Sequence, residues 1–335
     1  MKEANYSSSM TGLELAREYY FQVGRPMLEA QFPEYLPKIA AGLVGDGSEC
    51  LGFDDEISRD HDFGPSFCLW LTKDDYDAVG EEMQHAYASL PGEFLGFPAR
   101  NTSARGDGRV GVLEIRQFYG RYIGAEQPPK SLKRWLYLPE DKLAAVTAGA
   151  VFEDSLGEFS RIRVALAEYY PEDVRIKKIA ARAAGMAQSG QYNYGRCMCR
   201  GDTVAASLAL NEFVRQAMSM LYLLNRRYAP YYKWMFRGLR DLPILPEVPP
   251  LLLRLVRENP LRAENAWKAE EIRNPYLNLA DERVELIERI CVGVIEELKR
   301  QSLTSRNDDF LEAHTYELME RIKDPELHMC HVLEG

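Results

Sequence analysis

Two short apolar runs, Ile39-Ala40-Ala41-Gly42-Leu43-Val44 and Phe67-Cys68-Leu69-Trp70-Leu71, bracket a long polar insert and limit what the chain can fold into. Each run is too short for an amphipathic helix and lacks polar alternation, so each suits a strand buried on both faces. The insert opens on Gly45-Asp46-Gly47-Ser48 and closes on Asp60-His61-Asp62-Phe63-Gly64-Pro65. The expected local fold is therefore strand, tight glycine turn, polar loop, strand.

Around this unit the first half alternates. Residues 12–32 carry apolar positions at helical spacing, with Pro26 as an interruption. Lys73-Asp74-Asp75 starts a helix to about Ser89, and 91–107 is a Gly- and Pro-bearing loop. Val110–Ile115 is a third strand. After Pro128-Pro129 strand-like runs disappear and helical patterns take over, as in 202–228 and 281–302. Gly190–Gly201, with Arg196 and Arg200 around Cys197-Met198-Cys199, reads as a connecting loop. The fold class expected is α+β: a small mixed-sheet α/β domain over residues 1–140, followed by an all-α helical domain over 141–335.

Composition removes several alternatives. The chain has 335 residues, enough for two ordinary domains, and no apolar run reaches the roughly 18 residues of a membrane-spanning helix. With a polar start, Met1-Lys2-Glu3-Ala4-Asn5, a cytoplasmic location is expected. The six cysteines show no C-x-x-C pair and read as reduced thiols. His328-Met329-Cys330-His331 has no second Cys/His pair close in sequence, so zinc is not expected there. The formal net charge of −10 disfavours a nucleic acid partner.

The chemistry lies in the insert. Asp60 and Asp62 are two residues apart, so on an extended segment both side chains point to one face. Two adjacent carboxylates repel unless cations compensate. Mg2+ suits them, because it takes oxygen ligands and bridges carboxylates to phosphates. Two such ions can activate an attacking oxygen and stabilise a leaving pyrophosphate. Glu114, a lone charge in Val112-Leu113-Glu114-Ile115, is the candidate third acid and a candidate base. Gly47 allows close approach of backbone to ligand, and Ser48 adds a hydroxyl donor. Taken singly, each feature is ordinary: Asp-x-Asp is common in loops, a lone Glu suits a wet sheet face, and Gly-Ser is a turn.

The conjunction is specific: apolar strand, Gly47-Ser48, eleven residues, Asp60-x-Asp62, apolar strand, then a later strand with Glu114. It resembles the DNA polymerase β-like nucleotidyltransferase superfamily, with His61 standing where that pattern usually has an apolar residue. The chain also looks like a bacterial domain-of-unknown-function family classed as nucleotidyltransferase-like. That likeness rests on Gly47-Ser48-Glu49 with Leu51-Gly52-Phe53-Asp54, Asp60–Pro65, Thr147–Phe152 with Asp154, and Arg226–Tyr231 with Lys233-Trp234. Its layout is similar to that of the aminoglycoside nucleotidyltransferases. The resemblance implies that Asp60, Asp62 and Glu114 hold two Mg2+ ions and that Gly47 and Ser48 grip the phosphates of an NTP. It further implies that Tyr228 and Lys233 of the helical half contact the nucleotide.

Tyr228 and Lys233 fit that part on their own chemistry, since an aromatic ring can stack on a base and a cation can offset a triphosphate. The plainer reading of the same cluster is a helix C-terminus carrying cations and an amphipathic aromatic group. Transfer of an NMP from an NTP to an acceptor hydroxyl, with a small molecule as acceptor, is the expected function. A non-catalytic nucleotide-binding or protein-interaction module on the same fold is the rival.

Overall fold

The computed structural model describes residues 10–103, 106, 108–268, 274 and 276–335. It is an α+β structure in which one small mixed sheet sits within a largely helical chain. The chain clusters into two compact units, residues 1–129 with 138–169, and residues 130–137 with 170–335.

The first unit holds the sheet, in the order β3-β2-β1-β4. Its strands are β1 (Ala40–Leu43), β2 (Cys68–Leu71), β3 (Gly111–Glu114) and β4 (Ala150–Asp154). β1 runs antiparallel to β2, with Gly42 opposite Cys68, and β2 runs parallel to β3, with Leu71 opposite Glu114. Its helices include α1 (Gly12–Tyr19), α2 (Arg25–Gln31), α3 (Ser48–Leu51), α4 (Lys73–Ala88) and α5 (Ile115–Ile123).

β4 corrects the expectation that no strand follows Pro128-Pro129. It pairs antiparallel with the far side of β1 through a bulge at Ala41/Gly42. Gly42 makes the approach possible, because a Cβ there would lie 2.4 Å from the Ala150 carbonyl oxygen. The strand is half-buried throughout, as suits an edge, and so lacks the apolar run that marks β1 and β2. Residues 141–169, expected in the helical half, therefore go with the sheet.

Helices cover both faces of β2, which explains its unbroken apolar run. On one face Leu69 and Leu71 join Tyr20, Leu28, Phe67 and Met83 in a buried core. On the other, Trp70 stacks on Phe159 at 3.9 Å and meets Phe118 edge-on at 5.4 Å. Tyr119 donates its hydroxyl to the Phe159 carbonyl at 2.7 Å, tying this layer together.

The second unit is helical. It contains α6 (Leu132–Tyr137), and after two first-unit helices, α7 (Glu140–Thr147) and α8 (Glu158–Ala167), it resumes with α9 (Glu172–Met186). A π-helical stretch, Ala187–Tyr194, and the short helix Gly195–Cys199 replace the loop expected at 190–201. The long helix Thr203–Leu224 and the helices Tyr232–Gly238 and Glu282–Arg300 follow the apolar periodicity. Among the described residues no helix is long and apolar enough to cross a membrane.

Candidate functional site

Antiparallel pairing of β1 and β2 brings the end of the first strand and the approach to the second to one edge of the sheet. The Gly45–Ser48 turn leaves β1 there. Gly45 and Gly47 have φ of +124° and +139°, a region that favours glycine. A Cβ on Gly45 would lie 2.4 Å from the Tyr122 hydroxyl, and one on Gly47 would lie 2.6 Å from the Glu49 carboxylate. The Asp46 N–H donates to the Tyr122 hydroxyl at 3.1 Å, and Lys142 stands 3.7 Å from the Asp46 carboxylate. Ser48 begins the single-turn helix α3, which Gly52 ends in the left-handed conformation.

The loop between Phe53 and Phe67 carries the two aspartates, but not on an extended segment. Asp60 ends a 3-10 turn in right-handed helical geometry, and Asp62 has φ of +54°. The two aspartates consequently stand in different surroundings, one exposed and one buried, on a segment that is not extended as expected. Asp60 is exposed and lies 2.6 Å from the His61 Nδ1. Asp62 is buried and accepts from the Ser103 N–H at 2.9 Å and its hydroxyl at 2.7 Å. Arg109 lies 3.6 Å from the same carboxylate. Burial opposes the charge of Asp62, but the Ser103 donors and the nearby Arg109 and Arg100 outweigh it and hold the carboxyl below its usual range. Gly106 is required beside it, since a Cβ there would lie 1.9 Å from the Asp62 Oδ1.

Arg100 joins the turn to the aspartate loop. Its Nη1 donates to the Ser66 hydroxyl at 3.0 Å, and its Nη2 lies 3.5 Å from Glu49, the residue after Ser48. The Asp62 N–H donates to the carbonyl of the adjacent Asn101 at 2.8 Å. Burial pushes the Glu49 carboxyl above its usual range, with Arg100 opposing.

Glu114 is elsewhere, and this corrects its expected place as third acid. β2 and β3 are parallel, and Glu114 pairs with Leu71, at the opposite end of the strands from the aspartate loop. Four-residue strands alone span roughly 10 Å between those ends. Its carboxylate caps α5, accepting from the N–H groups of Arg116 and Gln117, both at 2.8 Å. There it lines a cleft of about 530 Å³ with Lys73, Arg116, Leu156, Glu158 and Arg161. Among the described residues no group of three or more His, Cys, Asp or Glu side chains could hold a metal ion.

Tyr228 and Lys233 belong to the second unit. Tyr228 is half-buried, its ring edge-on to Tyr170 at 4.9 Å, and burial raises its phenol. Lys233, on the helix Tyr232–Gly238, is exposed with its Nζ 5.2 Å from the Trp234 ring. The side chains that sequence reasoning missed are Glu49, Arg100, Ser103 and Arg109. Three of them lie in or beside a loop without periodicity, where the only available signal was cationic side chains among glycines.

Residues 135–235 match the family described as a domain of unknown function (DUF4037). No curated protein matches the chain. Among solved structures, a nucleotidyltransferase-like protein from Exiguobacterium sibiricum is similar over 90% of this chain and 81% of its own, at 12% identity and a TM-score of 0.33.

Proposed function

We propose that this chain is a nucleotidyltransferase whose reaction centre lies at the sheet edge where the Gly45–Ser48 turn and the Asp60–Asp62 loop meet. The observation that carries this reading is that meeting itself. A glycine turn leaves β1, and a loop bearing two carboxylates enters β2, at neighbouring ends of two paired antiparallel strands.

A three-acid site for two ions does not fit, because Glu114 caps α5 at the other end. A single Mg2+ carried by the nucleotide does fit the remaining donors. Mg2+ commonly uses one or two carboxylates together with substrate phosphates. Asp60 is exposed and is the proposed ligand, whereas the buried Asp62 already faces the Ser103 donors and Arg109. The ion, when bound, would supply charge neutralisation of the phosphates.

In the proposed reaction an acceptor hydroxyl oxygen forms a bond to the α-phosphorus of the NTP. The bond from that phosphorus to the bridging oxygen of the β-phosphate breaks, and pyrophosphate leaves with the electron pair. The hydroxyl proton passes to the Asp60 carboxylate. Ser48 and the turn bind phosphate oxygens. The proposed acceptor is a small molecule.

Incubation with α-labelled NTP and a panel of hydroxyl-bearing acceptors tests the reaction. Label transferred to acceptor by the wild type and lost in Asp60→Ala supports it. Transfer of γ-label instead would make the chain a kinase and contradict it.

A further inference from the structure

The Arg100 guanidinium is buried and under-used. Its side chain is 8% exposed. Five N–H bonds are available on a guanidinium. Nη1 donates to Ser66 at 3.0 Å, and Nη2 stands 3.5 Å from Glu49, long for a charge-assisted hydrogen bond. Nε is buried and finds no acceptor among the described residues. The Nε–H and an Nη2–H form one flat edge of the fork, the edge that grips two oxygens of a phosphate side by side. In Arg100 that edge holds only the long contact to Glu49.

The surroundings fix Arg100 rather than letting it swing to solvent. Gly64 has φ of +136°, and a Cβ there would lie 2.9 Å from the Arg100 N and Cα. The following residue, Asn101, is bonded to the Asp62 backbone. Burial pushes the Glu49 carboxyl up and Arg100 opposes that shift, across a contact of 3.5 Å. A buried arginine whose Nε has no acceptor among the described residues lies between the glycine turn and the aspartate loop.

We propose that Arg100 is the anion receptor of this site, its Nε/Nη2 edge taking two phosphate oxygens of the nucleotide in place of the contact to Glu49. The inference rests on the nucleotidyl-transfer reading and adds a binding residue to it. The ligand group is a phosphoryl oxygen pair, which could belong to the nucleotide or to the pyrophosphate it releases.

The test uses the full chain and measures binding of inorganic pyrophosphate and of ATP with Mg2+ by calorimetry. For Arg100→Met the affinity for both is expected to fall by at least about tenfold, and Arg100→Lys to recover part of it, because a point charge cannot present two fixed donors. If pyrophosphate alone binds, the site serves the product; if ATP alone binds, it serves the substrate; in either case loss in Arg100→Met supports the proposal. Unchanged affinity in a folded Arg100→Met protein overturns it. Should that variant not fold, Glu49→Gln decides: tighter binding, from removal of a competing carboxylate, supports the proposal, and unchanged or weaker binding overturns it. Transfer activity that persists while Arg100→Met binds normally removes Arg100 alone. A wild type that binds neither ligand removes the nucleotidyl-transfer reading as well.

Discussion

At the residue scale the site is set by conformations that few side chains tolerate. Gly47 sits at φ +139° with Glu49 against it, so Gly47→Ala is expected to cost about 1–3 kcal/mol. Chemical denaturation should show the loss, and nucleotide binding should fall with it. Glu114 carries the opposite expectation. As an N-cap, Glu114→Ala should cost about 0.5–2 kcal/mol of stability, yet leave nucleotide binding as in the wild type. Loss of nucleotide binding in a stable Glu114→Ala protein would restore it to the reaction centre. The sequence could show the residue types but not these placements. Alternation along a strand predicts a shared face for Asp60 and Asp62 only if the segment is extended, and a left-handed residue at Asp62 breaks that alternation. Likewise, an apolar-Glu-apolar pattern cannot say which end of a strand faces which loop, because strand direction comes from pairing.

At the scale of elements, apolar runs were legible wherever both faces are covered. β1, β2 and β3 lie close to where their apolar runs put them, because burial on both sides leaves an uninterrupted signal. β4 was not legible, since an edge strand buries little and its identity depends on Gly42 admitting it. Trp70 tests the account of β2: stacked on Phe159 and fully buried, Trp70→Ala should cost about 3–5 kcal/mol in denaturant unfolding. A loop in the second unit supplies a pH prediction. Glu317 accepts from the Ser305 N–H, the Thr304 hydroxyl and the Ser305 hydroxyl, and these donors lower its carboxyl to about 2. Its folded pKa lies below the unfolded one, so its contribution to stability is present above the unfolded value and is lost as pH falls toward 2. Stability measured from pH 5 to 2 should therefore decline less steeply in Glu317→Gln than in the wild type. Identical slopes would contradict that bonding.

At the scale of the whole molecule, the α+β class and the passage from a sheet-bearing unit to a helical one were legible from the change in periodicity. Where one unit gives way to the other was not, because β4 hides the return of the chain to the sheet. The net charge of −10 places a demand on any triphosphate ligand, which must arrive with cations or meet locally concentrated ones. Arg100 and Arg109 at the sheet edge are such a local concentration in the first unit. The most direct measurement is therefore thermal unfolding of the wild type and Asp60→Ala with each of the four NTPs, with and without Mg2+. A ligand that binds only the folded state, at ~100 times its dissociation constant, adds about 2.7 kcal/mol, enough to raise the midpoint by several degrees. A Mg2+-dependent rise with at least one NTP is expected, and Asp60→Ala should lose it. No rise with any NTP, or the same rise in Asp60→Ala, would contradict it.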